Sequence, residues 1–280
     1  MEKRKLGISL SREYEIPIGD VIGLLSRVGF AAVSPVWDGD EALGVIAAAA
    51  KRNGMVLQSL HAPYANANKL WSRDENESAP AKNEIKETVT ACAKYGIPVL
   101  VVHAWIGFRY KFEPDLLTYG AFDEMVDCAR ENGVKIAFEN TEGQEFLSLL
   151  MDRYVGNDTV GFCWDSGHEM CYNHSEDMLA KYGDRLLVTH LNDNLGISDP
   201  GGKIYWTDDL HLLPGDGIAD WDAAAQRLKK ARRLEILNLE LSRNSKPDRH
   251  ENDRYKEMPL EEYFAEAYRS GRMVAEKAMP

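Results

Sequence analysis

The chain has 280 residues, an ordinary size for one α/β barrel, with 44% hydrophobic and 28% charged residues and no low-complexity tract. A formal net charge of −12 argues against a broad electrostatic footprint on nucleic acid. No apolar run approaches the ~18 residues a membrane helix needs, so neither nucleic acid nor membrane is expected as a partner. The segment Met1–Leu10 opens basic and turns into a strand pattern without an apolar signal region. Cys92, Cys128, Cys163 and Cys171 have neither the density of a disulfide scaffold nor CxxC spacing. Buried free thiols in a reducing cytoplasm are the expectation.

In chain order, short β-type runs alternate eight times with longer helical ones. The predicted strands are Leu6–Ser9, Ala32–Val36, Val56–His61, Pro98–His103, Lys135–Asn140, Thr159–Asp165, Leu186–Leu191 and Glu235–Leu241. They are rich in Val, Ile, Leu and Phe, as strands buried on both faces of a parallel sheet should be. Helical spacing of apolar residues marks Val21–Val28, Glu41–Arg52, Asn83–Tyr95, Phe122–Asn132, Asp222–Arg232 and Leu260–Lys277. Gly29, Gly54, Gly96, Gly133 and Gly183 follow helical runs, where a residue at positive φ belongs. The acidic run from Tyr255 onward reads as the solvated face of the last helix.

Eight βα units with no linker between them predict a single (β/α)8 TIM barrel over residues 1–280. A dinucleotide-binding sheet would need a Gly-rich loop after its first strand, and Ser9–Leu10–Ser11–Arg12–Glu13 is not one. The longest irregular stretches, Ala65–Ala79, Trp105–Asp115 and Asn194–Ala219, all follow strands and are expected at the barrel mouth.

Of seven histidines, His61, His103 and His190 end strands three, four and seven, His168 lies three residues beyond Asp165 at the end of strand six, and His211 follows Asp209 in a long loop. Strand five ends in Glu139 and strand eight carries Glu240. A single histidine at a strand end is ordinarily a hydrogen-bonded structural residue, and a single strand acid a salt-bridge partner. Six successive strands ending in metal-ligand types, all aimed at one mouth, point instead to a shared cation. Packed together without one, Glu139, Asp165, Asp209 and Glu240 would repel and carry raised pKa values. Mixed imidazole and carboxylate donors suit Zn, Mn, Co or Fe better than Ca. Trp37, Trp105, Trp164 and Trp206 lie where they could wall a sugar-sized pocket or cover the rim, and Arg243 could meet a ligand or pair with an acid.

The runs Leu60–His61–Ala62–Pro63–Tyr64, Phe138–Glu139–Asn140, Gly161–Phe162–Cys163–Trp164–Asp165–Ser166–Gly167–His168 and His190–Leu191–Asn192–Asp193–Asn194 resemble the xylose isomerase-like barrel superfamily. So does Asp209–Leu210–His211–Leu212–Leu213–Pro214–Gly215–Asp216–Gly217, and within the superfamily the likeness is to bacterial sugar phosphate isomerases/epimerases. Resemblance to its ketose 3-epimerases implies a primary metal site of Glu139, Asp165, His190 and Glu240, with the two glutamates as the acid/base pair and His168 touching substrate. Resemblance to its endonuclease IV-type enzymes implies further ligands in His61, His103, His168, Asp209 and His211. Leu210 stands where those nucleases carry Arg, and no basic loop for a DNA backbone is evident.

The expected function is therefore a metal-dependent isomerase or epimerase of a small sugar, keto-sugar or related polyol, working through an enediolate. The expected cofactor is a divalent metal (Mn, Zn, Co or Mg), one ion or up to three. Trp37, Trp105, Arg243 and His168 are the candidate substrate contacts. Alternatives are a lyase or dehydratase acting on a keto-sugar or 3-keto-glycoside, a multi-zinc phosphodiesterase, and a non-catalytic sugar- or metal-binding barrel. The partner is a small carbohydrate, with self-association into a homo-oligomer left open.

Overall fold

The computed structural model describes residues 4–230 and 234–279. Strand β1 (Lys5–Ser9) is followed by α1 (Ile18–Val28), β2 (Ala32–Ser34) and α2 (Asp40–Arg52). The third barrel strand comes in two pieces, β3 (Val56–Leu57) and β4 (Leu60–His61), ahead of α3 (Glu75–Tyr95) and β5 (Val99–His103). Next come α4 (Gly120–Glu131), β6 (Lys135–Glu139), α5 (Gln144–Arg153) and β7 (Val160–Asp165). Two short helices, α6 (Ser166–Cys171) and α7 (Met178–Tyr182), lead into β8 (Leu186–His190). The chain finishes with α8 (Trp221–Lys230), β9 (Ile236–Leu239), α9 (Asp253–Glu257) and α10 (Leu260–Lys277).

All strand pairs are parallel, in the orders β3-β2-β1-β9 and β4-β5-β6-β7-β8. Parallel bridges Val36↔His61 and Leu191↔Leu239 join the two sheets at both seams, so the ring closes as the expected (β/α)8 barrel. No helix among the described residues is long and apolar enough to cross a membrane.

The differences from the predicted elements have local causes. Strand three breaks at Gln58 and Ser59, where its register against strand two slips by one residue between Val33↔Leu57 and Val36↔His61. Such a bulge re-aims the residues after it, here His61. Helix α3 starts at Glu75 rather than Asn83 because the Asp74 carboxylate caps it, accepting from the Asn76 N–H at 2.9 Å. Pro80, six residues in, removes only one helical hydrogen bond. Gly29, Gly54, Gly96 and Gly133 take positive φ, whereas Gly183 sits at φ −58° and opens a 3-10 turn, Gly183–Arg185. The predicted helix Asp222–Arg232 begins at Trp221, and its last two residues lie outside the described ones. The acidic C-terminal run is not simply a solvated face: Tyr255, Tyr263 and Phe264 on it are fully buried. The four cysteines are free.

Side chains alternate between the two sides of each strand. Phe138, Phe162 and Leu100 face outward into the large core beneath the helices, while Val99, Val101, Ala137, Cys163 and Val188 form a separate inner cluster. Two residues further along the same strands, the inner positions are His103, Glu139, Asp165 and His190. The barrel interior is thus a short apolar plug capped by an ionisable layer.

A buried carboxylate anchors the long loop behind that layer. Asp193, just past β8, accepts from the Gly215 and Ala219 N–H groups (2.8 and 3.0 Å) and from the Trp221 indole (2.8 Å). Gly217 has to be glycine, since a Cβ there would overlap Asp193 Oδ1 and Asn194 O. Asp193→Ala takes the acceptor from the buried Trp221 indole and from two half-buried N–H groups and is expected to lower stability by ~1–3 kcal/mol in urea unfolding; an unchanged midpoint would refute the anchor.

Candidate metal centre and active site

Parallel strands deliver their C-terminal ends to one face, and the structure brings nine candidate ligands together there. Glu139 is the hub. Its Oε1 lies 2.8 Å from His190 Nδ1 and 3.5 Å from His168 Nδ1, and its Oε2 is 3.3 Å from both His61 Nε2 and His103 Nε2. Glu240 follows β9, which pairs with β8 through Leu191, and its Oε2 approaches His190 Nδ1 at 3.1 Å. Donor atoms of Glu139, Asp165, His190 and Glu240 all lie within 4.8 Å of one another. On the other flank Asp209 Oδ2 meets His211 Nε2 at 2.8 Å and His168 Nε2 at 3.5 Å.

The register explains this gathering. β5, β6 and β7 bring His103 beside Glu139 and Glu139 beside Cys163, and a bulge between Phe162 and Cys163 sets Asp165 opposite His190. Asp165 also caps α6, accepting the His168 N–H at 2.7 Å, so both carboxylate and imidazole are fixed by one turn. His211 is held at φ 51°, between the Asp193–Leu212 bridge and a hydrogen bond from the Ser242 N–H to its carbonyl. Strain of that kind at a non-glycine residue persists only where neighbours impose it.

The surrounding hydrogen bonds orient the rings. Nδ1 of His61, His168 and His211 lies 2.8, 3.1 and 2.9 Å from the carbonyl oxygens of Ala62, Asn140 and Glu240. In the neutral ring, donation there would leave each Nε2 as a lone-pair donor facing the centre, the arrangement metal-binding histidines use. Asn140 spans to the Asp165 backbone at both its amide nitrogen and oxygen, and Asn192 donates to Asp165 Oδ2 at 2.9 Å. Gly167 permits that approach, since a Cβ there would collide with the Asn192 side chain.

The electrostatics depart from the expectation that every carboxylate in the cluster would have a raised pKa. Burial pushes Asp165 up to about 6, against the pull of His168 and His211. For Glu139 and Glu240 burial also acts upward, but His190 and the other imidazoles outweigh it, leaving Glu139 well below the usual range and Glu240 at about 2. Conversely, burial would depress His190, yet Cys163, Glu240 and Glu139 hold it well above its ordinary value. His211 rises to about 9, Asp209 overcoming its burial. His168, His190 and His211 offset the acids by holding protons, the one partner the sequence reading left out, whereas burial depresses His103.

This donor set fits a divalent cation. The acids and imidazoles are first-row metal donors, their distances allow a common centre, and His103 Nδ1 and Asp209 Oδ1 are buried without a hydrogen-bond partner. Glu139, Asp165, His190 and Glu240 form the largest of the groups whose donor atoms lie close enough to share an ion.

Other predicted contacts are distributed differently. Trp37 and Trp206 line the mouth. Trp164 is buried completely with its indole on Glu169, and Trp105 stacks on Phe146 at 4.0 Å with its indole N–H donating to Gly107 O. Arg243 neither faces the mouth nor pairs with an acid through its guanidinium, which donates to the carbonyls of Tyr255, Lys256 and Met258 and secures the approach to α10. Sequence reasoning passed over Tyr64, Phe108, Glu142, Tyr172 and Lys246, all of which line the mouth. Tyr64 belongs to the quoted His-Ala-Pro-Tyr run and was legible; the others sit on irregular loops with no periodic signal.

An uncharacterized protein y4fM of Sinorhizobium fredii is 33% identical over 169 residues, covering 56% of this chain and 51% of that protein. Inosose isomerase of Bacillus licheniformis is 27% identical over 184 residues, 61% of this chain and 64% of the isomerase. The chain spans less than two thirds of the length of either curated relative. A crystal structure of IolI protein with a zinc atom superposes with a TM-score of 0.76 at 20% identity, covering 98% of this chain and 99% of that one, a likeness of fold. The family model for the xylose isomerase-like TIM barrel matches residues 22–262, and this chain belongs to that family.

Proposed function

We propose that this chain is a divalent-metal-dependent isomerase or epimerase of a small sugar, keto-sugar or related polyol. The observation that carries the reading is the pair of glutamates, Glu139 fully buried and Glu240 half-buried at the mouth, brought from different strands to the same imidazole of His190 at 2.8 and 3.1 Å. Inversion at a carbon needs one group to take a proton and a second to return one on the other face, and two carboxylates flanking a common centre meet that need. A divalent ion held by these residues supplies Lewis acidity toward neighbouring carbonyl and hydroxyl oxygens.

Of the two glutamates, one removes the proton from the carbon beside the substrate carbonyl, which yields an enediolate, and becomes a carboxylic acid. In epimerisation the other, a carboxylic acid at the outset, gives its proton to the opposite face of that carbon and becomes a carboxylate; in isomerisation the newly protonated glutamate returns its proton to the neighbouring carbon while the hydroxyl proton passes to the other oxygen. The low Glu240 value belongs to a charged His190; a bound cation would take over that pull and keep Glu240 ionised, as a group that accepts a proton must be. His168, its ring stacked on Tyr172 at 4.8 Å, faces the mouth and would hold a substrate hydroxyl. The inosose isomerase relative carries out chemistry of this class by its name. A lyase or dehydratase on a keto-sugar begins with the same proton abstraction.

A second reading has its own observation: the further donors His61, His103, His168, Asp209 and His211 would also equip a multi-zinc phosphodiesterase. Against it, Lys246, a cation at the mouth, lies 3.5 Å from Asp209, and the chain is strongly acidic. Zinc-loaded protein is expected to leave abasic-site duplex DNA uncut beyond a zinc-only control at low salt, and robust cleavage there would put this second reading first.

Two outcomes test the preferred reading. Glu139→Gln and Glu240→Gln keep an oxygen at the centre and lose the basic carboxylate. Each should retain measurable metal while turnover falls by ~10²-fold or more, the usual scale for a positioned proton carrier. Near-native turnover in both would make the glutamates ligands only.

The pH dependence of metal loading follows from the histidines. His190 and His211 have pKa values raised by facing carboxylates, so at neutral pH the metal-free protein holds protons that an incoming cation must displace. Affinity should therefore rise with pH up to the range of these raised values, and calorimetry in buffers of differing ionisation enthalpy should record ~1–3 protons released per ion. No net proton release near neutrality would contradict the protonation pattern.

A further inference from the structure

The barrel mouth does not end at the candidate ligands. Every exposed aromatic side chain among the described residues (Tyr64, Phe108, Tyr110, Tyr205 and Trp206) lies on a loop that follows a strand, at the end of the barrel where the ligands gather. The cavity above Glu240, His168 and His211 measures about 390 Å³. Next to it is a larger one of about 640 Å³, walled by Tyr110, Phe112, Tyr172 and Ile204 and floored by the start of α5. None of the nine candidate ligands lines this second cavity, yet it shares a wall with the first. Tyr172 lines both, its ring stacked on His168 and met edge-on by Phe108 at 5.4 Å.

Charge narrows what these spaces accept. Among the described residues lining them and the adjoining mouth cleft, the Lys and Arg side chains are Lys246 and Arg12. Each already faces a carboxylate, Lys246 at 3.5 Å from Asp209 and Arg12 at 2.9 Å from Asp38. Among these residues a phosphorylated or carboxylated group would find no unpaired Lys or Arg, whereas aromatic faces suit the C–H faces of a sugar or an aryl ring.

We propose that the substrate is an uncharged glycoside: its reacting ring sits at Glu139 and Glu240, and its aglycone or second ring occupies the side cavity between Tyr110, Phe112 and Tyr172. This specifies a substrate class for the isomerase or epimerase reading and rests on it. The larger cavity then has an occupant, and the shared Tyr172 sets the distance from the reacting ring to its substituent.

The test compares deuterium exchange by metal-loaded protein on an inosose, a one-ring probe, and on 4-nitrophenyl 3-keto-β-D-glucoside, a two-ring probe. Ile204→Trp fills the side cavity and Tyr110→Ala removes its outer wall; neither residue is a candidate ligand. Each should raise KM for the aryl glycoside by ~10-fold while the constants for the inosose stay within about twofold of wild type. Equal shifts on both probes, or none on the glycoside, overturn the proposal. If wild-type protein exchanges neither probe, the proton-transfer reading itself fails. The cavity is then judged by calorimetry with 4-nitrophenyl β-D-glucoside, which cannot enolise. Saturable binding that Ile204→Trp abolishes upholds the subsite; no binding, or binding indifferent to that change, removes it.

Discussion

Glu139 governs the centre of this protein. It is fully buried, and its two oxygens meet imidazoles delivered by four other segments, His61 from β4, His103 from β5, His168 from α6 and His190 from β8. A bare carboxylate at such a site would cost several kcal/mol in desolvation, so positive charge must accompany it, either as protons on the imidazoles or as a metal ion. The two states compete for the same lone pairs. A cluster that binds protons firmly when empty therefore has its donors already aimed when a cation arrives, since neither ring nor carboxylate has to turn far. The same requirement makes Glu139 the poorest residue to lose, because its removal would leave the imidazoles with one carboxylate fewer to face.

Holding these groups in place requires rigid support, and it comes from the hydrogen-bonding residues around them. Asn140 and Asn192 fix Asp165 from two sides, the second through the space that Gly167 leaves open. Three backbone carbonyls set the ring orientations of His61, His168 and His211. Asp193 plays the corresponding part for the loop that carries Asp209 and His211, gathering backbone and indole donors from Gly215, Ala219 and Trp221. None of these groups need touch a substrate, yet each decides where a ligand atom points. Arg243 belongs with them: its guanidinium ties the segment after β9 to the start of α10.

Around the charged layer the loops are aromatic and unevenly distributed. Those after β5, β7 and β8 enclose the larger side cavity, while the loops after β1 and β2 contribute Arg12 and Trp37 to the opposite side of the mouth. In a barrel of this kind the strands fix the chemistry and the loops fix what enters, because only the loops differ freely without disturbing the ring. The cations at the mouth are drawn back onto Asp38 and Asp209, which leaves its surface to aromatic rings and hydrogen-bonding groups.

The amino-acid sequence by itself determined the barrel and the identity of the clustered residues. Both are encoded in short-range patterns: apolar strands with helices between them, glycine at helix exits, and a histidine or acid at the ends of six successive strands. Parallel strands must then present those residues at one end. The tertiary structure alone decided three things. It showed which imidazole faces which carboxylate, hence that Asp165 rises while Glu139 and Glu240 fall, because those signs depend on distances between segments far apart in the chain. It sent Arg243 to backbone carbonyls and Trp164 and Trp105 into packing, since neither burial nor the nearest acceptor can be read from residue type. It also brought Tyr110, Phe112 and Tyr172 from separate loops around one cavity, an adjacency that loops carry no periodic signal to reveal.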